Sequence, residues 1–380
     1  MLDKFLIGGY TSDNYTPNNQ SEGIYVATLD TEQAKIVSIE PYVKLDNPAF
    51  FNFDPANDQH KLVTVLTQNE NTGGVGVIDA TADAGKLIDT KMLDQNGVTP
   101  AYEAYDAATN RYFWNELSYT VPSYIFLDAT RRIIFAANYN TNAVHTFKLD
   151  DQWHISEQHN YPIEGSGPEV EQDHAHIHFT RLLPDGRLIV CGLGCDKLFV
   201  YDVADNGELT LVTAFSTKPG FGPRQIAIAQ KSNHIYVLGE VASRVAVAEY
   251  DHATGRITWL NDYSNIPEGY VGHNGSAAIR LSADEQFLYV TNRGHNSLAV
   301  YRIFDDGRQL EKIQQIKTEG VFPRDFGLSK DNHFLLCANQ NSNELILYRR
   351  DPESGFLSVA QRHIKHDACV RVLEATDFLG

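Results

Sequence analysis

"FPRDFGLSKDNHFLLCANQNSNELILYRRD", Phe322–Asp351, decides the fold. A proline leads into a short alternating segment, "SKDNH" makes a polar turn, and "FLLCANQ" rises as a second apolar strand that ends on polar residues. "NSN" then turns the chain into a third strand that closes on Tyr348. Period-two alternation bounded by turn residues reads as strand. The same frame returns in "VPSYIFLDATRRIIFAANYNTNAVHTFKLD" from Val121, "GPRQIAIAQKSNHIYVLGEVASRVAVAEYD" from Gly222 and "GSAAIRLSADEQFLYVTNRGHNSLAVYRI" from Gly275. With small insertions it also fits "DHAHIHFTRLLPDGRLIVCGLGCDKLFVYDV" from Asp173 and "NPAFFNFDPANDQHKLVTVLTQNENTGGVGVID" from Asn47. Self-similarity at a spacing of roughly 50 residues marks a propeller or a solenoid. Val245, Val247 and Glu249 alternate with Ala246, Ala248 and Tyr250, which favours blades of sheet over helical repeats.

A seventh unit is split between the ends, "KFLIGGYT" with "EGIYVATLD" at the start and "ACVRVLEA" near the finish. Pairing the last strand beside the first closes a ring and removes exposed sheet edges. The expectation is an all-β, seven-bladed propeller over residues 1–380 as one domain, its first and last strands sharing a blade. Two stretches interrupt the repeat: the loop Ser12 to Gln20, and residues 95 to 121, whose aromatic content reads as an ordered excursion over one end of the ring.

Composition narrows the function. The 380 residues are 42% hydrophobic and 21% charged, and no run reaches the roughly 18 uninterrupted apolar residues of a membrane helix. The start, "MLDKFLIGGYTSD", shows no basic leader or cleavage site, so cytoplasm is expected. Cys191, Cys195, Cys337 and Cys369 are too scattered for a disulfide framework and read as small buried strand residues. A formal charge of −18 argues against nucleic acid or an anionic membrane as partner, so an anionic ligand needs local arginines. The oligomeric state is not legible.

In a propeller, equivalent positions of successive blades converge on one axis. The second position of the frame holds Arg224 and Arg324, and the end of the second strand holds Glu240, Arg293 and Gln340, with Asn138, Tyr139, Asn292 and Asn339 beside them. Guanidinium groups around one channel suit a carboxylate or phosphate. The asparagines and Gln340 serve either as turn hydrogen-bond partners or as ligand contacts. His174, His176 and His178 in "HAHIH" fall on one face if the segment is extended. A metal, a structural role and acid/base chemistry at His176 all fit this spacing, but neighbours along a strand diverge too far for three to share one ion, and no metal or other cofactor is expected. "GGVG" at Gly73–Gly76 lacks the helix a phosphate loop requires, and no G-x-S-x-G elbow occurs.

"DHAHIHF", "GPRQIAI" with "YVLGE", "LYVTNRGHNSLAVY", "FPRDFGLS" with "CANQNSNELILYRRDPESG", and "ACVRVL" resemble the seven-bladed propeller lactonases of the cycloisomerase-type 6-phosphogluconolactonase family. The resemblance spans nearly the whole chain. It implies catalytic roles for His176, Arg224, Glu240 and Arg293, by analogy with a fungal enzyme that interconverts a carboxymuconate and its lactone. "VTVLTQN" departs from the family pattern, in which many members carry a glutamate after the asparagine. The expected reaction is hydrolysis of a small anionic sugar lactone, 6-phosphogluconolactone first. Arg224 and Glu240 would bracket an inner strand, Glu240 or His176 would act as general base, and Arg324 would hold the phosphate. His174, Asn138, Tyr139, Asn292, Asn339 and Gln340 are further candidates for substrate contact. The rivals are another carboxylated lactone, a metal-dependent lactonase using the histidines, and a noncatalytic binding platform of the WD-repeat kind, although the WD signature is absent.

Overall fold

A computed structural model describes residues 2–12, 19–55, 59–67, 72–80, 84–93, 102–106, 111–115 and 120–380, the two short segments between 102 and 115 as backbone only. It holds seven four-stranded sheets and one two-stranded hairpin. In six of the sheets the strands follow sequence order. In the seventh the order is Lys35–Lys44, Gly23–Asp30, Leu2–Gly9, Cys369–Glu374, with Phe5 opposite Glu374 and Ile7 opposite Val372. The chain ends therefore share one blade, as the split repeat predicts. The hairpin pairs Tyr102–Asp106 with Arg111–Asn115. This hairpin falls within the expected excursion, residues 95–121, most of whose remainder lies outside the described residues, as does most of the loop after Ser12.

The chain divides into two compact units, one comprising Met1–Lys44, Gln225–Asp251 and Ile257–Gly380, the other Leu45–Arg224 with His252–Arg256. The first, here the terminal unit, shows why its strands read as almost continuous apolar runs. Along Phe287–Arg293, Leu288 and Val290 pack with Tyr236, Leu238, Val245 and Val247, whereas Phe287 and Tyr289 pack with Phe326, Leu335, Cys337 and Ile346. Successive residues of a strand point to opposite faces, so a sheet between two others needs apolar side chains at every position. The middle unit repeats the scheme, with Val63, Val65, Val75 and Val77 packed with Ile125, Leu127, Ile134 and Phe147. All four cysteines are buried thiols, and burial raises that of Cys195 to about 11 and that of Cys369 to about 12.

A recurring clip joins one blade to the next within each unit. The turn after the second strand places Asn142, Asp196, Asn296 or Asn343 at φ between 52° and 54°. Asn and Asp tolerate this left-handed backbone better than other side chains. Each carboxamide or carboxylate then accepts the N–H of a residue entering the following blade: His176 at 2.9 Å, Gly222 at 2.8 Å, Phe322 at 3.0 Å and Ala368 at 2.9 Å. All four gripped residues have positive φ, from 44° to 66°. Three of their carbonyls accept in turn from the first residue past a second strand, Leu193 to His176 at 3.0 Å, Gln340 to Phe322 at 3.1 Å and Tyr10 to Ala368 at 3.3 Å. The clip fixes both frame positions at which the sequence places chemistry.

Candidate active site

Glu240 follows the strand His234–Gly239, and Arg293 ends the strand Phe287–Arg293. In the terminal unit they form a direct ion pair, Arg293 Nη2 donating to Glu240 Oε1, with the side chains 8% and 16% exposed. Arg293 Nε donates to the Gly275 carbonyl at 3.1 Å, and its guanidinium carbon lies 5.0 Å from the centre of the Phe322 ring. Two charges removed from water require this density of partners. A half-buried histidine that the sequence reading missed, His273, completes the surroundings: burial lowers its pKa, Arg293 adds to the effect and Glu240 opposes it. Gly294, at φ +107°, allows the close approach, since a Cβ there would stand 2.2 Å from the His273 carbonyl oxygen.

Further along the same unit, Arg324 Nη1 donates to the Tyr10 hydroxyl at 2.7 Å and to Gln340 Oε1 at 3.2 Å. Tyr10, Gln340, Glu240, Arg293 and, in the middle unit, Tyr139 share one frame position, the first past a second strand or, for Arg293, its last residue. Tyr10 was overlooked because its blade is the split one.

The middle unit carries the histidines, and here the extended reading of "HAHIH" is corrected. The strand begins only at Ile177, and His176 adopts φ +45° because its N–H is clipped by Asn142. His174 and His176 are consequently turned onto one carboxylate: His176 Nε2 lies 2.7 Å from Asp173 Oδ1, and His174 Nδ1 lies 2.8 Å from Asp173 Oδ2. His176 Nδ1 faces the Tyr139 carbonyl at 3.1 Å, and the Tyr139 ring stacks on the imidazole at 4.0 Å. A carbonyl and a carboxylate only accept, so the imidazolium satisfies both neighbours and the neutral ring only one. Burial lowers the His176 pKa, with the Asp173 hydrogen bond pulling upward. Desolvation raises that of Asp173, but hydrogen bonds from His176 and His174 outweigh it and hold the carboxyl below its ordinary value.

The His176 side chain has no exposed surface, whereas Asp173 and His174 are 37% and 43% exposed. Both nitrogens of the ring are thus engaged, by Asp173 and by the Tyr139 carbonyl, and Asp173 is the exposed partner through which a proton can pass between this ring and a ligand. The ligand atoms of Asp173, His174 and His176 lie within 4.8 Å of one another, so this group could hold a metal ion, with the Tyr139 carbonyl fixing the His176 tautomer.

Arg224 is buried at the start of the strand Pro223–Ile228, behind a loop that Asp196 ties down through Gly220 N–H at 2.7 Å and Gly222 N–H at 2.8 Å. Arg224 lies in the strand Pro223–Ile228 and Glu240 follows the next strand, His234–Gly239, so two strands and not a single one separate them in sequence. Asn138, Asn292 and Asn339 are fully buried and donate to the carbonyls of Thr120, Asn265 and Thr318 at 2.6, 2.9 and 3.0 Å. Their proposed place at the substrate is corrected to that of braces between a blade and the segment leading into it. Tyr139 supports His176, and Gln340 supports Arg324.

A family model described as lactonase, 7-bladed beta-propeller, matches residues 4–374. The chain belongs to that family. This lactonase-family protein is 28% identical over 373 residues to the 6-phosphogluconolactonase of Bacillus subtilis, covering 97% of each chain. A crystal structure of a protein from Lactobacillus plantarum superposes with a TM-score of 0.86 at 33% identity, covering 98% of this chain and 99% of the other. The Pseudomonas aeruginosa periplasmic gluconolactonase PpgL gives 0.81 at 26% identity, with 98% and 99% coverage. The lactonase-family chain is accordingly a seven-bladed propeller with a lactone-hydrolase relationship, and no helix among its described residues is long and apolar enough to cross a membrane.

Proposed function

We propose that the protein hydrolyses a sugar lactone, with 6-phosphogluconolactone opened to 6-phosphogluconate as the leading reaction, and that it does so in the cytoplasm. The observation that carries this reading is the Glu240–Arg293 pair, a mostly buried carboxylate and guanidinium at the end of neighbouring blades in a chain of the lactonase family. The names of the Bacillus relative and the Pseudomonas neighbour agree on a sugar lactone and differ in its phosphate. In the proposed step Glu240 takes a proton from water as its oxygen attacks the ring carbonyl. An arginine donates to the oxyanion, the ring C–O bond breaks, and the leaving oxygen takes a proton to become a hydroxyl. Arg293 orients Glu240 for this step. A pH-stat assay with fresh 6-phosphogluconolactone, gluconolactone and a carboxymuconolactone tests the assignment. We expect opening of a sugar lactone above the spontaneous rate, falling about 100-fold or more in Glu240→Gln. A rate equal to the spontaneous one on all three lactones refutes hydrolysis. Loss of activity on chelation, restored by zinc, transfers the water-activating role to the Asp173, His174 and His176 group.

A further inference from the structure

We propose that Arg324, Tyr10 and Gln340 form the subsite for the substrate's phosphate, and that Phe322 holds this subsite at a fixed spacing from the Glu240–Arg293 pair. Buried or half-buried arginines elsewhere in the terminal unit are matched to carboxylates: Arg280 and Arg371 both bind Asp325, Arg293 binds Glu240, and Arg350 meets Asp284. Arg324 differs. It is half-buried, and among the described residues its guanidinium meets only neutral groups, the Tyr10 hydroxyl, the Gln340 carboxamide oxygen and the face of the Tyr10 ring at 5.4 Å. Asp325, one residue away, is already occupied by two other arginines at 2.6 and 2.9 Å. Among the described residues, this half-buried cation is oriented by neutral partners and is not neutralised by a carboxylate.

The donors suit a tetrahedral dianion. Arg324 offers a rigid fork. Tyr10 accepts from Arg324 through its oxygen and orients the guanidinium, and Gln340, whose oxygen faces Arg324, has amide N–H groups to donate. Phe322 links this cluster to the proposed reaction centre. Its ring lies under the Arg293 guanidinium, its carbonyl accepts from Gln340 N–H, and Arg324 follows two residues later. Its backbone is held at φ +66°, an unfavourable value for a bulky residue, by the Asn296 clip. Strain of this kind persists where the surroundings impose it, commonly at functional sites.

The ligand's identity rests on the lactone reading, but phosphate binding is separable from it. Titration calorimetry with inorganic phosphate is expected to show binding to the native protein. The dissociation constant should rise about 30-fold or more in Arg324→Gln and several-fold in Tyr10→Phe, which removes one hydroxyl from an otherwise unchanged side chain. The ratio of kcat/KM for 6-phosphogluconolactone over gluconolactone should fall about 100-fold in Arg324→Gln, through KM, and by less in Arg324→Lys. Absence of phosphate binding to the native protein, or equal binding by native and Arg324→Gln proteins, overturns the subsite. A ratio unchanged within about threefold overturns it also. If the native protein opens neither lactone, the hydrolysis reading fails and the phosphate titration alone decides the subsite.

Discussion

Removing Glu240 leaves the Arg293 guanidinium, 8% exposed, without its carboxylate. Breaking a buried pair by deleting one partner typically costs about 3–5 kcal/mol, because the remaining charge stays desolvated. Here Arg293 retains the Gly275 carbonyl and the Phe322 ring, which places Glu240→Ala near the lower end, about 3 kcal/mol, and Glu240→Gln at about 1–2 kcal/mol. At about 2.1 cal/mol/K of unfolding entropy per residue, a loss of 3 kcal/mol in a chain of this length lowers Tm by about 4 °C. Arg293→Met removes the charge as well as the pair, so the double variant Glu240→Gln with Arg293→Met should be more stable than the sum of the single changes by about 1–2 kcal/mol. Urea denaturation of the four proteins of this cycle measures the coupling. Losses that add to within about 0.5 kcal/mol would show that the two groups do not depend on each other, and the reasoning would be wrong.

Three further outcomes follow from the same geometry. Asn292→Ala deletes the hydrogen bonds to the Asn265 carbonyl and the Ser276 hydroxyl inside the protein and should cost about 2–4 kcal/mol by urea denaturation. Gly294→Ala forces a Cβ against the His273 carbonyl at φ +107°, so we expect a drop of several kcal/mol in the same measurement together with loss of lactone hydrolysis. Burial holds the His145 imidazole down to about 4, from an ordinary 6.5, so the unfolded chain binds its proton first as pH falls. This group subtracts stability progressively from pH 6.5 to pH 4, about 3 kcal/mol in all, and denaturation midpoints measured across that window should decline less steeply in His145→Gln.

The blades were legible because inner strands such as Phe287–Arg293 pack on a neighbouring sheet at each face, so the repeat of apolar runs and polar turns is forced by packing. The pairing of Leu2–Gly9 with Cys369–Glu374 was legible for the same reason, since the terminal fragments are two parts of one frame. Glu240 and Arg293 were found through a shared register and do meet. The histidines were misjudged because strand periodicity assumes an extended backbone, and the Asn142 clip turns the chain at His176. Asp173, adjacent to the motif, becomes its centre only once that turn is known. Asn138, Asn292 and Asn339 looked like ligands because polarity at a strand end does not distinguish a group facing solvent from one bonded to a backbone carbonyl.

The most direct test of the account is kinetic. The initial rate of 6-phosphogluconolactone opening, followed by pH-stat in native protein, Arg293→Met and Glu240→Ala, should exceed the spontaneous rate in the first and fall about 100-fold or more in each of the others. Native-like rates in either folded variant would contradict the proposed centre.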